Sequence, residues 1–142
     1  MLILSGVNLD LLGQREPEIY GPMTLADHVS LAERTAKEHG LSVEHVQANE
    51  VGVLIEAIHG ARGRVSGIII NPGAFTHYAW SLHDALSAFD GVVIEAHLSQ
   101  PHAREAWRHT SVIAPVADGT VSGFGSQTYP LAVTAMASLL KR

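Results

Sequence analysis

The sequence of 142 residues has no cysteine. That excludes a disulfide frame, a thiolate nucleophile and any Cys-ligated zinc or iron–sulfur centre. Lysine is scarce: among nine basic residues only Lys37 and Lys141 are lysines, and the rest are arginines. Arginine binds carboxylate and phosphate through a planar fork, so a small anionic ligand is consistent with this bias. No apolar run approaches the roughly 18 residues of a membrane span. Met1-Leu2-Ile3-Leu4 breaks into Ser5-Gly6 too soon for a signal sequence. Nine basic against fourteen acidic residues leave a net charge of −5, without the basic surface of a general nucleic-acid binder. The expectation is a cytoplasmic protein with neither nucleic acid nor membrane as partner. There is also no linker, repeat or low-complexity stretch. With 46% apolar and 16% charged residues, the chain supports one buried core and reads as a single domain over 1–142.

What is present is alternation. Strand-like runs lie at Leu2–Leu4, Leu41–Gln47, Gly67–Asn71, Val92–Ala96 and Ser111–Val116. Gly67-Ile68-Ile69-Ile70-Asn71 is apolar on both faces, as a central parallel strand must be. Helical patterns separate the strands. Thr24 and Asp27 read as a cap ahead of Leu25, Val29, Ala32 and Ala36, with Gly40 as the stop. Val51–Ala61 carries Leu54, Ile55 and Ile58 at helical spacing. Thr76 reads as the cap of a helix through Phe89, and the last helix runs from about Ser126 to Leu140. The pattern predicts an α/β fold, a flavodoxin-like three-layer sandwich around a central parallel five-stranded sheet.

In such sheets ligands bind beyond the carboxyl ends of the strands. That rule selects Gly6–Asn8, Asn71–His77, His97–Ser99 and Gly119–Gly125. Residues 8–23 carry little periodicity, and a stretch of that length reads as a lid, here at about 13–23. It contains Arg15 and Tyr20. Holding a phenol as phenolate at neutral pH costs about 4 kcal/mol, and a guanidinium about 4 Å away at an effective dielectric of ~20 supplies roughly that much. An ordinary surface arginine and a half-buried tyrosine would read the same. Glu95, His97 and Ser99 alternate onto one strand face, where a carboxylate beside an imidazole makes a general acid. Arg104 and Arg108, four apart, suit an anion clamp or a solvated helix face. His77 and Asp84 share one face if the helix is continuous. Nine histidines raise the question of metal, yet His77, His83, Asp84, His97 and His102 lack any tight ligand spacing.

In order along the chain, Gly6-Val7-Asn8-Leu9-Asp10-Leu11-Leu12-Gly13, Arg15-Glu16-Pro17 with Tyr20-Gly21, Ile70-Asn71-Pro72-Gly73-Ala74 with Thr76-His77, Asp84-Ala85, Glu95-Ala96-His97-Leu98-Ser99, His102-Ala103-Arg104-Glu105 and Gly123-Phe124-Gly125 resemble the type II 3-dehydroquinate dehydratases. The resemblance implies a cofactor-free lyase that dehydrates 3-dehydroquinate to 3-dehydroshikimate through an enolate. It implies Tyr20 as base, Arg15 as its charge partner, Asn8 holding a water on the enolate, and His97, oriented by Glu95, as acid. Asn71 would position His97 or the ring, His77 and Arg108 would bind ring hydroxyls, and Leu98 and Ser99 would take the substrate carboxylate. Asp84 would reach a neighbour's site in a dodecamer, a tetramer of trimers. Val7, Asp10, Tyr78, His83 and Gln100 depart from the usual family residues. A histidine-site metal hydrolase and a non-catalytic binder of polyhydroxy acids are the rival readings.

Overall fold

The computed structural model describes residues 1–142. Five parallel strands, β1 (Leu2–Ser5), β2 (Glu44–Gln47), β3 (Gly67–Asn71), β4 (Val92–His97) and β5 (Gly119–Ser122), lie in the order β2-β1-β3-β4-β5. The helices are α1 (Pro17–Tyr20), α2 (Leu25–Glu38), α3 (Val51–Ala61), α4 (Trp80–Ser87) and α5 (Thr128–Leu139). This strand order is that of the flavodoxin-like doubly wound fold. No helix is long and apolar enough to cross a membrane.

The two faces of the sheet follow from the strand period of two. Leu2, Leu4, Ile68, Ile70 and Val93 point to one face and pack with Leu54 and Ile58 of α3 and Leu82 and Leu86 of α4. Ile3, Ile69 and Ile94 point to the other, against Ala32 and Ala36 of α2 and Tyr129, Val133 and Met136 of α5. The Ile68-Ile69-Ile70 run is fully buried because helices cover both sides. The Thr24–Asp27 pair forms a reciprocal capping box at the start of α2. Pro130 sits in the first turn of α5, where its missing N–H removes no helix bond.

Three expected elements differ. Ser111–Val116 is not a strand: Ser111 Oγ accepts from the amides of Ile113 and Ala114 at 3.0 and 2.9 Å, curling the chain into the 3-10 turn Ala114–Val116. Val112 and Ile113 are buried under that turn, so burial rather than strand pairing accounts for the β-branched pair. The fifth strand is instead Gly119–Ser122, an edge strand paired only with β4, which needs little hydrophobicity. Thr76 caps no helix, because its hydroxyl donates to Glu95. Gly73–His77 forms a 3-10 turn and α4 begins separately at Trp80. His77 and Asp84 therefore do not share a helix. Arg104 and Arg108 likewise lie on two short 3-10 turns and their junction, not on one helical face.

His28, on the buried side of α2, has both ring nitrogens without a hydrogen-bond partner. Burial pushes its pKa down against a smaller upward pull from Asp27. A histidine depressed in the fold contributes full stability above its ordinary value of ~6.5 and loses it as the pH falls below that. His28→Leu is expected to raise unfolding free energy by about 1 kcal/mol at pH 7. It should also flatten the decline of the denaturant midpoint between pH 7 and 5. Equal slopes in the two proteins would refute this.

Candidate active site

The site begins with two close backbone approaches. A Cβ on Gly6 would lie 2.0 Å from the Pro72 carbonyl oxygen, and one on Gly73 would lie 2.7 Å from the Val7 carbonyl. Only glycine permits the loops after β1 and β3 to touch here, and Gly73 also holds φ +61°. The Gly6 amide then bonds the Asn71 carbonyl at 2.8 Å. Asn8 follows at φ 65°, a left-handed conformation that Asn tolerates. Its amide donates to Asn49 Oδ1 at 2.9 Å, and Gln47 Nε2 donates to the same oxygen at 3.2 Å.

Beside these loops lies a cavity of about 280 Å³. Asn8, Arg15, Tyr20, Asn71, His77, His97, Leu98, Ser99 and Arg108 all line it, together with Val7, Arg104 and Trp107. Glu95 stands behind His97 and is fully buried. Asp84 is exposed on α4, outside the lining. Gly119–Gly125 also lies outside it; Thr120 and Ser122 instead border an adjoining cavity that shares His77, His97 and Arg108.

On one side of the cavity His97 Nε2 meets Glu95 Oε1 at 2.6 Å. The Glu95 carboxylate also accepts from Thr76 and from Ser111 Oγ at 2.9 Å to each oxygen. Burial drives its pKa upward, but the hydrogen bond from His97, electrostatic attraction to that ring and the two hydroxyls outweigh burial. The carboxyl is held below the ordinary glutamate range. Because Nε2 is engaged by the carboxylate, Nδ1 is the His97 nitrogen left for a ligand. His77 Nδ1 donates to the Thr110 carbonyl at 2.7 Å, so Nε2 is the His77 nitrogen left for a ligand. Its ring meets Trp107 edge-on at 5.1 Å.

On the side of segment 13–23, Tyr20 Oη receives two guanidinium groups. Arg104 Nη1 donates at 2.9 Å and Arg15 Nη2 at 3.4 Å; both also lie over the tyrosine ring, at 5.3 and 4.9 Å. Arg104 Nη1 reaches Ser99 Oγ as well, at 3.2 Å. Arg108 is steadied by Glu105 at 2.6 Å and stacks on Trp107 at 4.0 Å. The segment 13–23, expected from the sequence to be a lid, contains the helical turn α1, with Glu16 at φ 37° before Pro17. Arg104 as a partner of Tyr20, and Thr76 and Ser111 as partners of Glu95, escaped the sequence reading. Their signal was only that small hydroxyl residues and a second arginine lay near recognised motifs. No three His, Asp or Glu side chains converge in a metal-holding group.

A profile of dehydroquinase class II matches residues 1–137. A 3-dehydroquinate dehydratase from Jannaschia sp. is 48% identical over 140 residues, covering 99% of this chain and 95% of the relative. One from Cereibacter sphaeroides is 50% identical over 137 residues, covering 96% and 93%. The crystal structure of the type II dehydroquinase from Propionibacterium acnes superposes with a TM-score of 0.93 at 38% identity, over 97% of this chain and 95% of that one. A 3-dehydroquinate dehydratase-like protein from Bifidobacterium longum is more distant, with a TM-score of 0.75 at 28% identity over 100% and 98%. Sequence and fold agree along almost the full length, and the chain belongs to the class II dehydroquinase family.

Proposed function

We propose that this protein is a 3-dehydroquinate dehydratase that eliminates water through an enolate, with Tyr20 as base and His97 as acid. The observation that carries the reading is the pairing of functions in one cavity: a phenol oxygen held by two guanidinium groups, and an imidazole backed by a buried carboxylate. Two cationic donors on one phenol oxygen are an arrangement that solvates a phenolate. As phenolate, Tyr20 takes the proton from the carbon beside the ketone, and the electron pair moves onto the ketone oxygen. Asn8 holds a water that hydrogen-bonds the enolate oxygen. The enolate then collapses, the carbon–oxygen bond to the departing hydroxyl breaks, and His97 delivers a proton so that water leaves. A ketone makes this stepwise route accessible because charge develops on an oxygen that fixed donors can stabilise. The substrate carboxylate lies against Leu98 and Ser99. Asn71 positions His97 or the ring, and His77 and Arg108 bind the ring hydroxyls. Three arginines around the cavity, in a chain of net charge −5, favour an anionic substrate. The reaction serves aromatic biosynthesis or quinate breakdown, which share this step.

Tyr20→Phe is expected to lower kcat by about 10²–10⁴ while 3-dehydroshikimate still binds. Arg104→Ala should lower kcat more than Arg15→Ala, because its donor lies closer to the phenol oxygen. The ultraviolet absorbance of the enone product reports turnover directly. Substantial turnover in Tyr20→Phe at any pH would remove the phenolate base.

The Glu95 carboxylate organises the acid. Its pKa is depressed in the fold, so its stabilising contribution is complete above ~4.3 and fades as the pH falls through the folded value. Glu95→Gln turns an amide N–H toward the donors Thr76, Ser111 and His97, and is expected to cost about 1–3 kcal/mol at pH 7. The gap between wild type and variant should narrow below about pH 4. A gap independent of pH, measured by denaturant titration, would contradict this.

Asp84 completes the site of a neighbouring subunit in a trimer, four of which form a dodecamer. Its exposure on α4, next to exposed Trp80 and near exposed Tyr78, supports that reading. Light scattering should find a particle near twelve chains, and dilution to monomer should abolish activity. A fully active monomer would rule out the shared site.

A further inference from the structure

Trp107, in the 3-10 turn Ala106–His109, lines the cavity yet belongs to neither apolar layer of the sheet. It is 54% exposed, so burial of its indole does little for the fold. Its ring contacts are instead with His77 and Arg108. The Arg108 guanidinium lies over the indole at 4.0 Å. The His77 ring stands at 84° to it, with centroids 5.1 Å apart.

Each of those two side chains has one hydrogen-bonded anchor within the chain. His77 Nδ1 donates to the Thr110 carbonyl at 2.7 Å, and Arg108 Nε donates to Glu105 Oε2 at 2.6 Å. A bond at one atom leaves the imidazole and the guanidinium free to turn about it. The Glu105 side chain is 58% exposed, where water and salt weaken a charge pair. Stacking on Trp107 supplies the missing constraint. It occupies the flat face of the guanidinium and leaves its edge, where the Nη donors point, open to a ligand. There is also somewhere else to turn. His77 and Arg108 border the adjoining cavity of about 390 Å³, which Trp107 does not. The indole stands only on the side of the first cavity, so its attraction draws both groups to that side.

We propose that Trp107 is a positioning residue: its indole, face-on to Arg108 and at right angles to His77, aims both side chains at one ligand in the first cavity. The proposal rests on the dehydratase reading, in which those two groups hold ring hydroxyls. Such binding is present in the ground and transition states alike, so its loss shows in KM. Trp107→Leu, which keeps apolar bulk without a π face, is expected to raise KM for 3-dehydroquinate about tenfold and to change kcat less than about threefold. Trp107→Phe, with a weaker π face, should raise KM about threefold. The loss should depend on the groups that the indole positions. Calorimetric Kd values for 3-dehydroshikimate should show the Trp107→Leu effect shrinking from about tenfold to about threefold in an Arg108→Ala background, and likewise in His77→Ala. Fluorinated tryptophan keeps the indole's shape while draining negative charge from its face. Incorporated at Trp80 and Trp107, the two tryptophans of the chain, it should weaken 3-dehydroshikimate binding about threefold. No such effect should appear in Arg108→Ala, a comparison that subtracts Trp80. This readout stands even if Trp107→Leu disturbs folding or assembly.

A Trp107→Leu enzyme with KM within about twofold of wild type would overturn the proposal, as would a loss confined to kcat. So would a loss of the same size whether Arg108 and His77 are intact or replaced, which is what a merely structural role predicts. Absence of turnover in the wild type would overturn the dehydratase reading and this inference with it. Normal wild-type turnover with uncoupled variants would overturn the inference alone.

Discussion

One ionised carboxylate, Glu95, is buried at the carboxyl end of a central strand, and much of the site is built around keeping it satisfied. An isolated buried carboxylate is costly enough that a protein ordinarily neutralises it. Here donors arrive from three directions: His97 from the same strand, Thr76 from the turn after β3, and Ser111 from the loop after Arg108. Each donor pins a different segment of backbone. Thr76 is thereby withdrawn from helix capping, which separates the 3-10 turn at Gly73–His77 from α4. Ser111, with two amides folded onto its oxygen, pulls a β-branched segment off the strand path. The carboxylate thus shapes the loops that carry His77 and Arg108 as well as the ring it holds directly.

The other side of the cavity uses the opposite charge logic. Arg15 and Arg104 come from segments far apart in sequence and meet on a single phenol oxygen. Two like charges in one place are tolerable there because Arg104 also has Ser99 and Glu105 near it, and Arg15 has Glu16. The pair links segment 13–23 to the loop after β4. If Tyr20 were carried away, Arg104 would keep Ser99 and Glu105, so segment 13–23 and the loop after β4 share one charged joint.

Legibility in the sequence divided along a physical line. Elements whose side chains repeat with the backbone period were readable: β3 from Gly67 to Asn71, α3 from Val51 to Ala61, and the Thr24–Asp27 capping box all stand where pattern placed them. Segments ruled by a single long-range hydrogen bond were not. Val112 and Ile113 have strand-like composition, yet the Val112 amide bonds the Thr76 carbonyl at 2.7 Å, a partner 36 positions away that no local pattern encodes. The edge strand Gly119–Ser122 failed the opposite way, with too little apolar content to signal a strand. Of the candidate site, Glu95 and His97 were legible because alternation alone sets them side by side. Arg104 was seen only as half of a helical pair, since its contact with Tyr20 spans 84 positions.

The same alternation divides labour between the two faces of the sheet. Glu95 and His97 have the parity of Val93 and point toward the layer of α3 and α4. Ser5 and Asn71 have the parity of Ile3 and Ile69 and point toward the layer of α2 and α5. A cavity over the strand ends draws on both. It takes an imidazole backed by a buried carboxylate from one face and the Asn71 amide, held by the Gly73 N–H, from the other, with the β3–β4 pairing between them. A slip of one residue in either strand would turn the polar group at its tip to the opposite layer. The continuous apolar run of β3, buried on both faces, holds its register through the Gly67↔Val92 and Ile70↔Glu95 pairings. Parallel pairing, which starts both strands from the same edge of the sheet, is therefore what brings the ends of β3 and β4 to one mouth with their functional side chains on opposite sides of it.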